Sequence, residues 1–354
     1  MPFTSSAKKM TYGGYFRLGN SALKVSRFIL GLGGVGSKSW QPWAIEEEET
    51  IQLIKAAYDA GIQTFDTSNN YSGGDSERIL GKAVKQLNLP RDEIVVMTKF
   101  TPKLYFVAIQ DTSIYPGPAA DAAGYVNQYG LSRKHIFESI KHSLERLQLD
   151  YVDVLQCHRF DYDTPIAETM EALHNVVKAG YACYIGMSSC HAYQFHAMQN
   201  YAINNKLTPF ISMQSQYNLI YRKQEREMIP TLKMFGVGMI PWSPLSQGVL
   251  SRPYSQTSLR DKTSFLAAIA NQAKEGNKEI VLCLEKMANT QGISMAQVAM
   301  AWHLSKDTVT APIIGAMNLG SLEDTIGAID VKLTDKEIRH LEEPYIAQAI
   351  QGYV

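Results

Sequence analysis

The chain has 354 residues, of which 45% are apolar, and its 34 basic residues balance its 34 acidic ones. This length is ordinary for one α/β barrel with insertions, and a zero net charge gives no reason to expect nucleic acid or an anionic membrane as a partner. The sequence has no run of eighteen apolar residues and no charged leader followed by an apolar stretch, so we expect a cytoplasmic protein without a membrane span.

The elements alternate between short apolar runs and longer amphipathic stretches. YFRL, the turn-like GNSA and KVSR predict a small N-terminal β-hairpin. Eight apolar runs follow, at residues 27–32, 63–67, 94–98, 152–156, 183–187, 210–214, 237–241 and 311–315. Helical patterns lie between them, and several of the strands are apolar throughout, which is typical of a parallel sheet covered by helices. We therefore predict an α/β fold, a (β/α)8 TIM barrel, as a single domain over residues 1–354.

Glycine and proline mark several of the helix boundaries. Three helical patterns end at Gly61, Gly180 and Gly236, the usual C-terminal stop. Pro230 lies inside a helical pattern, where it should kink or restart the helix.

Two segments at the carboxyl face are longer than ordinary loops, residues 100–131 and 242–277. The first is rich in aromatic residues, namely Tyr105, Phe106, Tyr115, Tyr125 and Tyr129. It is consistent either with the lining of an apolar substrate pocket or with a packed surface excursion that binds no ligand.

A glycine-rich string follows the first strand but does not indicate a Rossmann fold. Residues 31–36 read G-L-G-G-V-G, yet no helical pattern begins before Glu46, and the dinucleotide fingerprint requires a helix to open at once. We interpret the string as a strand entering a loop whose backbone, at Gly33, approaches a bound ligand closely.

The four cysteines, Cys157, Cys183, Cys190 and Cys283, form no C-x-x-C pair. We expect reduced thiols that act as small buried hydrophobes, and we assign no metal ligands.

Four polar residues lie at the ends of three neighbouring strands: Asp66, Tyr71, Lys99 and His158. The carboxyl ends of barrel strands converge on one face, where catalytic sites are built. A nearby ammonium favours the phenolate and should lower the pKa of Tyr71, and Asp66 can hold Lys99 in place. His158 can orient a bound carbonyl while Tyr71 donates a proton, and the hydride must come from a cofactor.

Each of these residues also has a purely structural interpretation. Asp66 could cap a turn, Lys99 could be an ordinary charge at a strand end, and His158 could be a core histidine. Their joint placement at the carboxyl ends of three successive strands favours catalysis.

The strings FDTSNNY, MTK and QCHRFD, with TPIAETMEALHNVVKAGYACYIGMSS, resemble the aldo-keto reductase superfamily over nearly the whole chain, from about Tyr12 to Tyr345. Within it, the chain is most similar to the fungal branch labelled versiconal hemiacetal acetate reductase-like, which we take as a group label. The resemblance implies catalytic roles for Tyr71, Asp66, Lys99 and His158, and an NADP cofactor, with NAD as the alternative.

The resemblance also implies where this cofactor binds. Ser188, Ser189 and Gln214 would hold the nicotinamide amide, and Trp242 would stack on its ring. The remaining contacts would come from Asp66, Ser243, Leu245, Gly248, Gly315, Asn318, Ser321, Asp324 and Thr325. The family often has Gln, Glu and Asn in place of Ser321, Asp324 and Thr325. Arg252 or Arg260 could reach a 2′-phosphate.

Three functions fit these residues. The first is an NADP-linked reductase of aldehydes or ketones, with an apolar or aromatic small-molecule substrate. The second is a nicotinamide-binding regulatory or scaffold barrel with little turnover, and the third is a specialised secondary-metabolite enzyme that works mainly from alcohol to carbonyl. The sequence leaves the oligomeric state open.

Overall fold

The computed structural model describes residues 14–100, 118–122, 124–263 and 278–350. It begins with an antiparallel hairpin of β1 (Tyr15–Arg17) and β2 (Lys24–Ser26), in which Phe16 lies opposite Val25. Leu18 and Val25 are fully buried and pack in one cluster with Ile29, at the start of the next strand. The predicted hairpin is therefore present and is packed against the sheet.

Eight parallel strands form the central sheet. They are β3 (Ile29–Gly31), β4 (Thr64–Asp66), β5 (Val95–Phe100), β6 (Val152–Cys157), β7 (Ala182–Ser188), β8 (Phe210–Gln214), β9 (Gly238–Met239) and β10 (Ile313–Ile314). Their order in the sheet is β10-β3-β4-β5-β6-β7-β8-β9. Hydrogen bonds from Thr310 N to Met239 O and from Ile313 N to Pro241 O, both 2.8 Å, join β9 to the chain entering β10. The sheet thus curls until its two edges meet, an arrangement that fits a (β/α)8 barrel.

Helices connect the strands along the chain. They are α1 (Glu47–Asp59), α2 (Asp75–Gln86), α3 (Pro118–Ala122), α4 (Arg133–Leu147), α5 (Ile166–Lys178), α6 (Ala192–Asn204), α7 (Met228–Phe235), α8 (Leu259–Thr263), α9 (Lys278–Gln291), α10 (Met295–Leu304), α11 (Leu319–Gly327) and α12 (Asp335–Glu342). Short 3-10 helices span Tyr71–Gly74, Lys223–Glu225, Ser246–Ser251 and Ala328–Asp330.

The boundary residues act as the sequence predicts. Gly61, Gly180 and Gly236 have φ values of 96°, 81° and 66°, the left-handed conformation that ends a helix. Pro230 lies in the first turn of α7, which begins at Met228, so the proline marks a restarted helix.

The core lies between the sheet and the helices. In α5, for example, Met170, Leu173 and Val176 are fully buried, a spacing that places them on one face of the helix. Among the described residues, no helix combines the length and the apolar character that crossing a bilayer requires.

The cysteine prediction is correct for two positions and wrong for one. All four thiols are free, and Cys157 and Cys190 are buried, but Cys183 is exposed. Cys183 is the second residue of β7, and this strand is continuously buried only from Ile185 onward.

Parts of the two long segments lie outside the described residues, including Tyr105, Phe106 and Tyr115. Tyr125 and Tyr129 are described, and the Tyr129 hydroxyl donates to Asp121 at 2.9 Å. After β9 the chain forms a 3-10 helix and α8 before residue 264.

Candidate active site

Asp66, Tyr71, Lys99 and His158 come together at the carboxyl ends of β4, β5 and β6. Asp66 ends β4, Tyr71 begins the 3-10 helix that follows, and His158 follows β6 directly. Lys99 is the next-to-last residue of β5, so it lies inside the strand rather than beyond it. The Lys99 ammonium is 5.0 Å from the centre of the Tyr71 ring, and the Tyr71 and His158 rings meet edge to face at 5.9 Å.

The Asp66–Lys99 ion pair lies in the interior. Lys99 Nζ donates to Asp66 Oδ2 at 2.5 Å and to the Thr67 carbonyl at 2.8 Å. The side chains of Lys99 and Asp66 are only 0% and 3% exposed. Asp66 Oδ1 accepts from the Gln156 and Gln214 amides at 2.9 Å and 3.0 Å. A buried ion pair persists when hydrogen bonds satisfy its remaining atoms, and these two glutamines do so here.

The pKa of Tyr71 moves in the opposite direction from the one expected. Burial raises it above its ordinary value, Lys99 lowers it without cancelling that effect, and the Asp66 carboxylate opposes Lys99. The sequence suggested a nearby ammonium but not the degree of burial, and desolvation penalises the phenolate. Tyr71 is therefore protonated at neutral pH, the form that an acid must have.

Lys99 and His158 respond differently to burial. Burial lowers the pKa of the Lys99 ammonium, but Asp66 and Tyr71 outweigh it, so the net pKa is raised and the charge is kept. Burial, with the charges of Arg159 and Lys99, holds the pKa of His158 well below its ordinary value. The imidazole is therefore neutral near pH 7 and carries one ring proton.

The turn that carries Tyr71 is held by the glycine-rich string after β3. Ser72 has a φ of 46°, and its hydroxyl accepts from the backbone N–H of Ser37 at 2.9 Å. Gly36 has a φ of 144°, and a Cβ at that position would lie 2.1 Å from Ser72 Cβ. Only glycine allows the two loops to approach this closely, so the string positions Tyr71.

A cavity of about 600 Å³ opens beside these residues. Tyr71 and thirteen of the predicted cofactor residues line it: Gly33, Asp66, Gln214, Trp242, Ser243, Leu245, Gly248, Arg252, Arg260, Gly315, Ser321, Asp324 and Thr325. These residues lie at or beyond the carboxyl ends of β3, β4, β8, β9 and β10, although the chain separates them by up to 292 positions, from Gly33 to Thr325.

Ser188, Ser189 and Asn318 are not among the lining residues. The Ser188 hydroxyl donates to the Gln214 carbonyl at 2.6 Å, and Ser189 Oγ accepts from the Trp242 indole N–H at 3.0 Å. Asn318 caps α11 by accepting from the Ser321 N–H at 2.8 Å. In these contacts, Ser189 orients Trp242, and Asn318 shapes the loop after β10.

Two arginines give the cavity its positive charge. Arg252 forms an ion pair with Asp261 at 2.5 Å, and the Arg260 guanidinium lies 4.1 Å from the centre of a Trp43 ring. The Nε atoms of both arginines are buried and have no hydrogen-bond partner among the residues that the structure describes. Unpartnered buried N–H groups are costly, and a phosphate oxygen would satisfy them, so the cavity fits a phosphorylated cofactor.

The family follows from comparison with known proteins. A sequence model of the aldo/keto reductase family matches residues 27–346. The chain belongs to this family. An aldo/keto reductase is an oxidoreductase of carbonyl and alcohol groups, and the family uses nicotinamide cofactors.

Individual relatives extend the match over almost the whole chain. Versiconal hemiacetal acetate reductase of Aspergillus parasiticus is 46% identical over 343 residues, 95% of this chain and 98% of that protein. An aldo-keto reductase of Fusarium vanettenii is 44% identical over 349 residues, 96% of this chain and 93% of its own. A protein of Schizosaccharomyces pombe that carries the name aryl-alcohol dehydrogenase is 44% identical over 347 residues, 96% and 98% of the two chains.

Several residues of this reductase site were not assigned from the sequence. Gln156 contacts Asp66, Ser68 contacts His158, and Trp43 lines the cavity. Gln156 carries a signal, since it is a polar residue inside the apolar run VDVLQC. Trp43 contacts Arg260, a residue 217 positions away in the chain, so local sequence patterns gave no signal for it.

Proposed function

We propose that this aldo/keto reductase uses NADP(H) and reduces aldehydes or ketones, with Tyr71 as the general acid. The observation that carries the proposal is the position of Tyr71, which lines the cavity next to the buried Lys99–Asp66 pair. A protonated phenol beside a fixed ammonium can release its proton to an oxygen that is gaining negative charge.

The roles of the four residues follow from their contacts. When bound, the nicotinamide supplies the hydride that the side chains cannot carry. Tyr71 donates its proton to the carbonyl oxygen, and the Lys99 ammonium stabilises the phenolate that is left. Asp66 holds Lys99 in its buried position, and neutral His158 donates a hydrogen bond that orients the same carbonyl oxygen.

Different parts of the cavity wall would bind different parts of the cofactor. Trp242, oriented by Ser189, offers its ring for stacking, while Gln214 ends β8 close to Asp66. Ser243, Leu245 and Gly248 also line the cavity, and backbone N–H groups of this segment can meet the pyrophosphate. Gly315 has open space where a side chain would be. Ser321, Asp324 and Thr325 would lie beside the adenosine, and Asn318 would act through the loop.

Arg252 and Arg260 are the reason for proposing NADP rather than NAD. Both line the cavity, and their Nε–H groups, which have no partner in the described part of the chain, suit the 2′-phosphate. Fluorescence titration should show tighter binding of NADPH than of NADH by the wild-type protein. The Arg260→Met variant should lose about tenfold in affinity for NADPH, the value of one charge-assisted hydrogen bond, and much less for NADH. Equal losses for the two cofactors would contradict a role in reading the phosphate.

Aromatic side chains near the site favour an aromatic or apolar carbonyl substrate. Phe160 and Tyr162 pair edge to face at 5.2 Å in the loop that follows His158, and Tyr162 is 57% exposed. The name of the Schizosaccharomyces pombe relative points to aryl alcohols for that protein. Purified protein should reduce aryl aldehydes faster than sugar aldehydes in an assay of NADPH oxidation, and the reverse order would refute the aromatic preference.

The decisive test is Tyr71→Phe. The variant should lose at least a hundredfold in kcat for carbonyl reduction, because the general acid is gone, while its Kd for NADPH stays within about threefold of the wild type. Tyr201→Phe is the matched control, since it removes a hydroxyl of α6 that donates to Glu171 of α5 at the protein surface. Full turnover in Tyr71→Phe would refute the assignment. Tight NADPH binding without turnover on any carbonyl by the wild type would favour the regulatory barrel.

A further inference from the structure

His158 contacts a serine from a neighbouring strand end. Ser68, two residues after β4, places its Oγ 3.2 Å from Nδ1 of the imidazole. The serine is fully buried. The other ring nitrogen, Nε2, is the one left for a substrate oxygen.

Ser68 has one hydrogen and three neighbours that could accept it. Its hydroxyl is in position to donate to Asn70 Oδ1 at 2.7 Å, to the Lys99 carbonyl at 3.1 Å or to His158 Nδ1 at 3.2 Å. The Lys99 carbonyl already accepts from the backbone N–H of Asn69 at 3.0 Å. Rotating the Asn70 amide by 180° about its Cβ–Cγ bond places the N–H group where Oδ1 lies, and in that orientation Asn70 donates to Ser68.

Two hydrogen-bond chains are therefore possible, and they differ in the tautomer of His158. In one, Nδ1–H donates to Ser68, whose hydroxyl donates to Asn70, and Nε2 is left without a proton. In the other, Asn70 donates to Ser68, Ser68 donates to Nδ1, and the proton of the ring lies on Nε2. A neutral imidazole can donate to a carbonyl only from the nitrogen that carries its proton.

We propose that Ser68 is a positioning residue that donates to Nδ1 of His158 and thereby fixes the ring proton on Nε2. This inference rests on the proposed function, because it takes His158 as the donor to the carbonyl. Asn70 supports it in the rotated orientation, in which its amide N–H donates to Ser68. The segment Asp66–Tyr71 then carries both the general acid Tyr71 and the two residues that fix the tautomer of His158. The FDTSNNY string thus serves His158 as well as Tyr71 and Asp66.

A second serine–histidine pair in the same chain provides an internal reference. His135 Nδ1 lies 2.7 Å from the Gly130 carbonyl, which can only accept, so this ring is protonated on Nδ1. Its Nε2 accepts from the Ser139 hydroxyl at 2.9 Å. His135 should therefore show the opposite tautomer from His158 in one spectrum.

The tautomers are measured directly in two-bond ¹H–¹⁵N correlation spectra of full-length protein with ¹⁵N-labelled histidine. The chain has 8 histidines, and the signals that disappear in His158→Gln identify His158. We expect the Nε2–H pattern for His158 in the wild type and in Ser68→Thr, which keeps the hydroxyl. We expect Ser68→Ala to show the Nδ1–H pattern or a mixture of the two.

Kinetics provide the second readout. Loss of one hydrogen bond should lower kcat of Ser68→Ala about threefold to tenfold, with NADPH affinity unchanged, and Ser68→Thr should restore most of it. Ser139→Ala is the matched control: it should alter the His135 signals alone and leave kcat unchanged.

An Nδ1–H pattern for His158 in the wild type would by itself overturn the proposal. An unchanged Nε2–H pattern in Ser68→Ala would also overturn it. The spectra do not depend on turnover. Failure of the Tyr71→Phe test would refute the proposed function, whereas the tautomer of His158 would still be settled on its own.

Discussion

Replacing Lys99 tests whether the buried ion pair serves both stability and catalysis. Lys99→Met keeps most of the side-chain volume but removes the ammonium, so Asp66 Oδ2 loses its partner at 2.5 Å. Asp66 Oδ1 keeps its two glutamine donors, but the carboxylate charge is then uncompensated at 3% exposure. Breaking one side of a buried pair costs about 3–5 kcal/mol, a large fraction of the roughly 5–15 kcal/mol that holds a protein folded.

The double variant Lys99→Met with Asp66→Asn separates the two effects. It removes both charges, so most of the lost unfolding free energy should return, to within about 2 kcal/mol of the wild type. Its activity should stay at least about a hundredfold below the wild type, because no ammonium is left to stabilise the Tyr71 phenolate.

Urea unfolding gives the free energy of unfolding, and NADPH oxidation gives kcat/KM. Both are measured for the wild type, the single variants Lys99→Met and Asp66→Asn, and the double variant. If the double variant is as unstable as Lys99→Met, the uncompensated Asp66 carboxylate is not the source of the instability. If the double variant recovers activity, Lys99 does not act through its charge on Tyr71.

The pKa of Lys99 fixes how the difference in unfolding free energy between the wild type and Lys99→Met changes with pH. The pKa of Lys99 is raised in the folded state above its ordinary value of 10.5. Its contribution to stability is therefore fully present below about pH 10.5 and is lost as the pH rises through the folded value. On the alkaline side, the stability gap between the wild type and Lys99→Met should therefore narrow only above pH 10.5. A gap that narrows as the pH rises from 7 to 9 would refute this account.

Two further predictions concern residues around the site. His303 is fully buried, and burial lowers its pKa to about 3. Because the unfolded chain takes up the proton first, the free energy of unfolding should fall as the pH drops below 6.5. In urea unfolding, the wild type should lose about 2 kcal/mol between pH 7.5 and pH 5 relative to His303→Gln, and a pH-independent difference would contradict this. Gly36→Ala should lower kcat by at least tenfold by displacing Ser72 and the Tyr71 turn. Gly124→Ala, where φ is also positive but nothing lies within 4 Å of the added Cβ, should leave kcat unchanged, and equal kcat for the two variants would exclude the displacement.

Much of the fold could be predicted because it depends on local patterns. Each of the eight strands of the central sheet lies within or overlaps a predicted run, and Gly61, Gly180 and Gly236 end their helices as predicted. Apolar periodicity and glycine conformation are properties of a few neighbouring residues, so the sequence displays them directly. The exposed Cys183 shows the limit of this reasoning, because a residue type gives no information on which part of a strand is covered.

The sequence by itself determined the order of strands and helices, the family resemblance and the identity of the four polar residues at the strand ends. Only the tertiary structure decided how burial sets the pKa of Tyr71, that Ser189 orients Trp242, and that Gln214 reaches Asp66 across 148 positions of the chain. The physical reason is that desolvation and hydrogen bonding depend on which groups surround an atom. Those groups come from several strands, and the curling of the sheet brings them together.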